Sequence, residues 1–440
     1  MLKIGIVAEY NPFHNGHLYQ IEEIKRRMEK DTLIVAVVSG DFVQRGDFSY
    51  FDKWQKTEVA LNHGVDMVVE LPLYYSVQNA EIFSKMSTKI LDYLEMDFQV
   101  FGAEEKDIEV LDRIIELQER EDYKKNLMEL MKKGNSYSTS QKLALSEYGY
   151  GNTVKSNNIL ALEYMWSRGC DTGSDTGGLT TMKKENLNIK PYIIQREISD
   201  YNEQEIEKAR KSIASATFIR KVLMEKDGNP ENVRDFIPEK TYEILKKNFG
   251  SENKENEGLK WKNLRESMFK FLKYKLLMET KKEIIKIYDM NDEIYARIYR
   301  GVSKSKTYEV FLKEVKSRNF SIKRIERIVL NILLNITKEA VDFELDYIRV
   351  LGFNQRGQEY LRQLKKKKKV YNEKSDEMKE TEKYEKKNND EKIFVNWKNI
   401  EKNVHSEKVK IEKNGFLLKE LFLNGKEKLN PLIINQKKFK

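Results

Sequence analysis

Short apolar runs alternate with amphipathic segments along the first part of this 440-residue chain. The apolar runs are rich in β-branched residues and cover residues 3–9, 32–40, 66–72 and 98–104. Runs of this kind are typical of strands that are buried on both faces of a sheet. Helical periodicity separates them, at about 17–30, 52–62 and 79–95. The alternation predicts an α/β fold with a doubly wound parallel, Rossmann-like sheet, in which ligands bind at the carboxyl ends of the strands.

The hydrophobic pattern changes after about residue 257. Long helical periods replace the alternation, and the clearest of them places Ile325, Val329 and Ile332 on one face with Lys323 and Arg327 opposite. This change predicts an α/β domain followed by an α-helical domain. The predicted units are residues 1–257 for the α/β domain and 258–369 for a basic α-helical domain.

The last seventy or so residues have a different composition. Lys and Glu are interleaved with few apolar residues in 370–412, which predicts a disordered or loosely helical charged segment. Such a segment buries too little apolar surface to offset its ordering, so we expect residues 371–412 to be dispensable for chemistry. Residues 413–440 are predicted to be a C-terminal tail.

Charge is distributed unevenly along the chain. Residues 1–257 contain 35 Lys and Arg against 44 Asp and Glu, a net charge of −9, whereas residues 258–369 contain 28 against 14, a net charge of +14. A basic region suits a polyanionic partner, because neutralising phosphates supplies affinity that does not depend on sequence. A lysine-rich solvated surface accounts for the same charge equally well, so charge alone leaves the partner open.

Several classes of protein are disfavoured by composition. The single cysteine, Cys170, rules out a disulfide framework within the chain and fits a reducing compartment. The N-terminal stretch lacks the pattern of a signal peptide, and no run approaches the roughly 20 apolar residues that span a bilayer. We therefore expect a cytoplasmic protein without a membrane partner, and no obligatory protein partner is evident.

Two of the four histidines lie three residues apart in the stretch EYNPFHNGH, directly after the first predicted strand. A helix N-terminus attracts anions through its unpaired N–H groups, and the imidazoles of His14 and His17 add donors aimed at the same anion. Gly16 leaves room for a backbone or a ligand to approach closely. The pair therefore predicts a site that holds a nucleotide triphosphate and stabilises charge at its α-phosphate. No third His or Cys lies close in sequence, so we predict no protein-held metal site.

Two motifs resemble those of the HIGH superfamily of nucleotidyltransferases: HNGH, and the Ser/Thr-rich SATFIR at 215–220. Longer stretches are similar, in the same order, to the bacterial tRNA(Met) cytidine acetate ligase family. They are GIVAEYNPFHNGH (5–17), SGDFVQRGDFSYFDKWQKTEVAL (39–61), GVDMVVELPLYYSVQNAEIF (64–83), FGAE (101–104), NNILALEY (157–164) and RIERIVLNILL (324–334). The resemblance implies ATP-dependent formation of N4-acetylcytidine at the wobble position of elongator tRNA(Met), with acetate as the acyl source and Mg²⁺ accompanying the nucleotide.

The resemblance also implies roles for the two domains and for particular residues. It implies that residues 1–257 form a nucleotidyltransferase-like, ATP-binding catalytic domain and that the basic helical domain, 258–369, binds tRNA. It makes His14 and His17 catalytic. It implies an ATP site formed by Val7, Ala8, Glu9, Tyr10, Asn11, Pro12, Phe13, His14, Asn15, Gly16, His17, Leu18, Tyr19, Gln20, Gly102, Asn157, Arg196, Ser215, Thr217 and Arg220. The chain departs from the family at Ser156, where Pro is usual, and in a longer loop over 170–188.

Other interpretations of the residues stay open at this point. The loop GDFVQRGDF follows the second predicted strand, where ligand-facing loops occur, and offers Asp41, Gln44 and Arg45 as further candidates. A small-molecule adenylyltransferase of the pantetheine or nicotinate-nucleotide type would share the H-x-G-H chemistry without needing a basic helical half. A non-catalytic RNA-binding protein on a degenerate nucleotide fold is the third alternative, against which the intact HNGH and SATFIR motifs argue.

Overall fold

The structure, a computed structural model, describes residues 1–28, 31–135, 137–153, 155–167, 187–195, 213–225, 228–249, 257–379, 392–423 and 430–434. Its strands are β1 (Leu2–Ala8), β2 (Thr32–Ser39), β3 (Phe42–Val43), β4 (Asp47–Phe48), β5 (Met67–Leu71), β6 (Phe98–Ala103), β7 (Lys190–Gln195), β8 (Ile348–Phe353), β9 (Ile393–Phe394) and β10 (Leu432–Ile433). Its α-helices are α1 (Asn15–Arg27), α2 (Lys53–Asn62), α3 (Leu73–Ser76), α4 (Ala80–Tyr93), α5 (Ile108–Glu119), α6 (Glu121–Lys132), α7 (Tyr137–Ser146), α8 (Ser156–Trp166), α9 (Ala216–Glu225), α10 (Glu239–Phe249), α11 (Glu257–Met278), α12 (Lys281–Ile285), α13 (Asp292–Lys304), α14 (Tyr308–Val315), α15 (Ile322–Leu334), α16 (Gln355–Lys379), α17 (Trp397–Asn403) and α18 (Ser406–Leu423).

The central sheet of the described residues has the strand order β10-β8-β5-β2-β1-β6-β7, with β9 paired to β8. β1 pairs in parallel with both β2 and β6. The chain proceeds from β1 through β2 to β5 on one side, and then crosses to place β6 and β7 on the other side. The predicted doubly wound α/β fold is therefore confirmed, and its switch point lies between β1 and β6, where such folds bind ligands.

One strand of the sheet comes from the segment that the sequence assigned to helices. β8 is fully buried and runs antiparallel to β5. Its sequence, IRVLGF, is a short apolar run among long helical periods, so periodicity alone did not reveal it. Through β8 the C-terminal half shares one hydrophobic core with the sheet, including Val69, Ile328 and Val350. The division at residue 257 stays a prediction.

The C-terminal segment also packs on this core. β9 pairs with β8, and Ile393, Ile400 and Ile411 are almost completely buried. The prediction of a solvated segment is therefore wrong for residues 392–412, and the dispensability of residues 371–412 for chemistry stays a prediction. Averaged composition concealed a few well-spaced apolar residues among many Lys and Glu, and those few are the ones that make the contacts.

The lysine run at 365–369 lies on α16, near the amino end of β6. Lys367 Nζ is 2.7 Å from Glu95 Oε2, and Lys368 Nζ lies 3.9 Å from the ring centroid of Tyr93. Tyr93 and Glu95 directly precede β6 in the chain, so these lysines are at the end of the sheet opposite its carboxyl edge. A search of the described helices found none with the length and apolar character needed to cross a bilayer.

Candidate functional site

The HNGH turn connects β1 to α1, and its two histidines form the start of the helix. His14 is the N-cap, and its Nδ1 accepts a hydrogen bond from Gly16 N–H at 3.0 Å. His17 Nδ1 in turn accepts from His14 N–H at 3.2 Å, which completes a capping box. The two rings stack with centroids 3.8 Å apart. Because each Nδ1 is an acceptor, the proton of each neutral ring is on Nε2, and both rings can donate from that atom.

Gly16 is required by the packing of this turn. An ideal Cβ at this position would lie 2.8 Å from His14 Cε1 and 2.9 Å from Ile213 Cγ2, closer than carbon atoms normally approach. Any larger residue would therefore displace the His14 ring or the segment before α9. The sequence predicted that a backbone or a ligand approaches Gly16 closely. In the structure the neighbouring atoms belong to the protein's own His14 and Ile213.

The second side of the site is the N-terminal turn of α9, which carries the SATFIR motif. Arg220 Nη1 donates to Asn11 O at 2.6 Å, and Arg220 Nη2 donates to Thr217 Oγ1 at 3.2 Å. Ser215 Oγ accepts from Phe218 N–H at 3.2 Å and caps the helix. Burial lowers the pKa of Arg220, although the guanidinium stays charged at any ordinary pH. Arg220 therefore ties the second motif directly to the turn after β1.

The β3–β4 hairpin contributes a second arginine. Its backbone is fixed to the first motif, because Gln44 N–H donates to Glu9 Oε1 at 2.7 Å. Arg45 Nη1 lies 3.5 Å from Thr217 Oγ1, the same oxygen that Arg220 contacts. Arg45 was one of three candidates in this loop, and the structure brings it to the other motifs.

Buried charges hold this hairpin in place. Asp41 Oδ1 accepts from Lys419 Nζ at 2.9 Å and from Lys53 N–H at 3.1 Å. Burial opposes ionisation of Asp41, but Lys419 and Lys53 outweigh it and lower its pKa to about 2. Lys53 Nζ also reaches Glu70 Oε1 at 3.1 Å, and Arg349 Nη1 is 3.4 Å from Glu70 Oε2. Asp41 is thus structural, and α18 supplies one of its two cations.

Lys56 performs a related task at the carboxyl end of β2. Its fully buried Nζ donates to the carbonyl oxygens of Ser39 and Gly40, at 3.0 and 2.8 Å. Burial lowers the pKa of Lys56 to about 8. The lysine therefore satisfies backbone oxygens that the end of a strand would leave without partners.

The wall opposite the histidines is built from β6 and α8. Asn157 Nδ2 donates to Glu104 Oε1 at 2.6 Å, which joins α8 to the end of β6. Asn158 Oδ1 accepts from the N–H groups of Glu104 and Glu105, both at 2.9 Å. Gly102 lies on the same edge of the sheet, in register with Ile194 of β7.

These elements enclose a cavity of about 390 Å³. The residues named from sequence that line it are Val7, Ala8, Glu9, Tyr10, Asn11, His14, Gly16, His17, Tyr19, Gln20, Arg45, Gly102, Asn157, Ser215, Thr217 and Arg220. Lining residues that the sequence did not indicate are Phe83, Phe101, Leu160, Ala161, Tyr164, Ile194, Gln195, Ile213, Ala214 and Ala216. On α8 the lining positions 157, 160, 161 and 164 have helical spacing, a signal that was present in the sequence.

Some of the named residues lie elsewhere. Phe13 is completely buried and stacks on His63, with ring centroids 5.1 Å apart. Asn15 Nδ2 donates to Asp235 O at 2.9 Å, and Pro12 and Leu18 are likewise outside the lining of the cavity. Arg196 lies outside the described residues, as do Cys170 and most of the loop 170–188.

Comparison with known proteins agrees with this geometry. Residues 1–410 match the family model described as HIGH Nucleotidyl Transferase. The chain is 36% identical over 377 residues to the tRNA(Met) cytidine acetate ligase of Fusobacterium nucleatum, covering 84% of this chain and 86% of that protein. It is 35% identical over 380 residues to the Bacillus subtilis protein of the same name, covering 83% and 85%.

Solved structures show the same relationship. The crystal structure of Thermotoga maritima TmcAL bound with alpha-thio ATP superposes with a TM-score of 0.75 at 27% identity, covering 99% of this chain and 100% of that one. The apo form of that protein gives a TM-score of 0.77 at 28% identity, with the same coverage.

Proposed function

Because the chain belongs to the tRNA(Met) cytidine acetate ligase family of HIGH nucleotidyl transferases, we propose that it activates acetate with ATP and acetylates N4 of the wobble cytidine of elongator tRNA(Met). One observation carries the proposal for this chain's own residues. The His14–His17 pair and the Arg45–Arg220 pair converge on one cavity at the switch point of the sheet. Donors from both sides therefore surround a space that suits a triphosphate.

The cavity also suits the rest of the nucleotide. We assign the polyphosphate to the region between the start of α1 and the start of α9, where the two arginines share Thr217. The apolar wall, with Leu160, Ala161 and Tyr164, then receives the adenine, and Gly102 leaves room beside it. Phosphate at a helix N-terminus and base against an apolar wall is the usual division of a nucleotide site.

Chemistry in this site proceeds in two displacements. An acetate oxygen attacks the α-phosphorus of ATP, forms the acyl–phosphate bond of acetyl-adenylate and releases pyrophosphate. Charge grows on the phosphate oxygens in that step, and the Nε2–H groups of His14 and His17 are oriented before the reaction begins. N4 of cytosine then attacks the acetyl carbonyl carbon, AMP leaves, and N4 gives up a proton.

Mg²⁺ is proposed to enter with the nucleotide. Among the described residues that line the cavity, Glu9 is the only carboxylate, and its Oε1 already accepts from Gln44 N–H. Such a wall fits an ion that phosphate oxygens and water hold, which is the common arrangement for Mg²⁺ with nucleotides. When bound, the ion would neutralise polyphosphate charge.

The decisive experiment is mass spectrometry of nucleosides from tRNA(Met) incubated with the protein, ATP and isotope-labelled acetate. We expect labelled N4-acetylcytidine that depends on both ATP and acetate. Replacing tRNA with pantetheine phosphate or nicotinate mononucleotide tests the small-molecule alternative, and we expect no adenylylated product. Unmodified tRNA in the complete reaction, with protein that still binds ATP, would refute the proposal.

A further inference from the structure

We propose that Arg327 of α15 contacts a phosphate of the RNA acceptor, at the seam where α15 meets the turn of the β3–β4 hairpin. The seam is formed by Gly46, Glu326 and Arg327. The inference rests on the proposed function, since it names a contact for the RNA that the reaction requires. It concerns a residue outside the lining of the nucleotide cavity.

Arg327 is placed beside the site by a backbone contact. An ideal Cβ on Gly46 would lie 2.5 Å from the backbone nitrogen of Arg327 and 2.6 Å from the carbonyl carbon of Glu326. Gly46 has a φ of +77°, which favours glycine for a second reason. The next residue back along the hairpin is Arg45, whose guanidinium reaches Thr217 in the cavity. The seam thus places the backbone of Arg327 against the hairpin residue that follows Arg45.

The hairpin and the helices are also fixed to each other by charge. Asp47, directly after Gly46, forms an ion pair with Arg265 of α11. Asp47 raises the pKa of Arg265, with burial opposing, and the pair is partly shielded from solvent. The Gly46 contact therefore holds the hairpin against α15, and the Asp47 ion pair holds it against α11.

The guanidinium of Arg327 is half-buried and unpaired within the described ranges. The carboxylates of Asp289 and Glu326 attract its charge, but Asp289 is already engaged by Arg324, whose Nη2 and Nε donate to it at 2.6 and 2.9 Å. Glu326 is instead paired with Lys323 at 2.6 Å. Burial lowers the pKa of Arg327, because the charged form loses hydration there. A half-buried cation whose neighbouring carboxylates are hydrogen-bonded to other cations is costly, and a bound anion would offset that cost.

The surroundings favour a nucleic-acid phosphate as that anion. Arg327 belongs to the region with a net charge of +14, and a guanidinium binds phosphate oxygens in a bidentate manner. The polyphosphate of ATP has its own arginines across the cavity, Arg45 and Arg220. An RNA strand entering from the helical side would meet Arg327 next to the hairpin.

The test is binding of tRNA(Met) to Arg327→Gln by fluorescence anisotropy over a range of salt concentrations. Loss of one phosphate contact should weaken binding about 10-fold at moderate salt and reduce the slope of log Kd against log salt by about 1. Arg327→Lys keeps the charge and should retain most of the slope. Arg300→Gln is the matched control, since Arg300 is an exposed arginine of the same basic region whose Nε donates to Ala296 O of its own helix.

A stability measurement separates this role from a structural one. An unpaired, half-buried cation does not stabilise the fold, so Arg327→Gln should have an unchanged or higher Tm. A lower Tm together with a wild-type salt slope would overturn the inference. A raised KM for ATP in pyrophosphate exchange without tRNA would instead place Arg327 on the nucleotide and also overturn it. If wild-type protein binds no tRNA at all, the proposed function fails, which is a different result.

Discussion

Each histidine of the HNGH turn serves both the fold and the site, and substitutions can separate the two. His17 accepts from His14 N–H and also lines the cavity. We expect His17→Ala to reduce acetate-dependent ATP–pyrophosphate exchange by about 10²–10³-fold, the usual cost of losing one oriented donor at a developing charge. His17→Gln supplies the acceptor that a capping box normally has at this position, so it should recover stability without recovering exchange.

The control for these variants is His405→Ala. His405 is exposed, and its Nδ1 accepts from Glu407 N–H on a helix far along the chain. It should exchange pyrophosphate at the wild-type rate. Wild-type exchange in His17→Ala as well would remove His17 from the mechanism.

Arg220 is the second residue whose role can be isolated. Its two donors join Asn11 O and Thr217 Oγ1, so a guanidinium is needed for geometry as well as for charge. We expect Arg220→Lys and Arg220→Gln both to lower kcat/KM for ATP by about 10–100-fold, in line with the loss of charged hydrogen bonds. Arg113→Gln, at an exposed helical arginine that pairs with Glu109, is the control. Full activity in Arg220→Lys would show that charge alone suffices.

Individual residues of the site show what can and cannot be predicted from the sequence. His14, His17, Thr217 and Arg220 were indicated by motifs, because consecutive residues in one turn carry the chemistry. Phe83 was not indicated, because it reaches the cavity only through the packing of α4 against α8. Phe13 shows the converse, since it lies inside the motif and its ring packs in the core.

At the scale of elements, α18 is the part that sequence composition concealed. It inserts Glu412 into the core, where Oε1 accepts from Leu73 N–H and Tyr347 O–H, both at 2.7 Å. It also presents Lys419 to Asp41, next to the hairpin that carries Arg45. Leu73 and Asp41 lie more than 300 residues from their partners on α18, and contacts at such separations are invisible to local periodicity. The main alternation of strands and helices was visible because each unit is local.

Glu412 gives α18 a pH signature. Burial, followed by the Glu70 carboxylate, raises the pKa of Glu412 to about 7, with Lys53 and the two hydrogen bonds opposing. The folded chain therefore keeps a proton that the unfolded chain releases from about pH 4.3 upward. The free energy of unfolding should fall between pH 4.3 and 7, by at most about 1.4 kcal/mol per pH unit from this group.

Urea unfolding at pH 5 and pH 8 checks this expectation. Glu412→Gln keeps an acceptor oxygen but does not titrate, so its stability should fall less between these two pH values than that of the wild type. Glu420→Gln, at an exposed position of the same helix, should behave like the wild type. An identical pH dependence in Glu412→Gln and wild type would contradict the assigned titration.

At the scale of the molecule, the charge asymmetry predicts how tRNA binds. We expect log Kd for tRNA(Met) to rise linearly with log salt, because phosphate contacts release counter-ions. Truncation at residue 257 cannot test which half is responsible, since it removes β8 and exposes β5. Two variants with three Lys→Gln substitutions each can test it, one in the basic region 258–369 and one in the acidic region 1–257. The lysines are Lys304, Lys306 and Lys316 for the first, and Lys125, Lys132 and Lys133 for the second, all exposed.

The first triple variant should lose more of the salt slope than the second. Equal losses would mean that lysines contribute wherever they are exposed, and that the basic helical region has no special role. The result would also test the predicted division near residue 257. Because the two parts share one core, that division can only be one of charge and function.

Because the lysine run on α16 lies away from the cavity, its contribution to RNA binding should depend on the length of the RNA. The run lies at the amino end of β6, whereas the cavity is lined by Phe101 and Gly102 towards the carboxyl end of that strand. An intact tRNA extends much further from its anticodon than an isolated anticodon stem–loop does, so we expect only the intact tRNA to reach both places. Replacing Lys365, Lys366, Lys367 and Lys368 with Gln should therefore raise the KM for intact tRNA(Met) while leaving the KM for the stem–loop unchanged. If the KM changes equally for both substrates, the lysine run does not contact the part of the tRNA beyond the stem–loop.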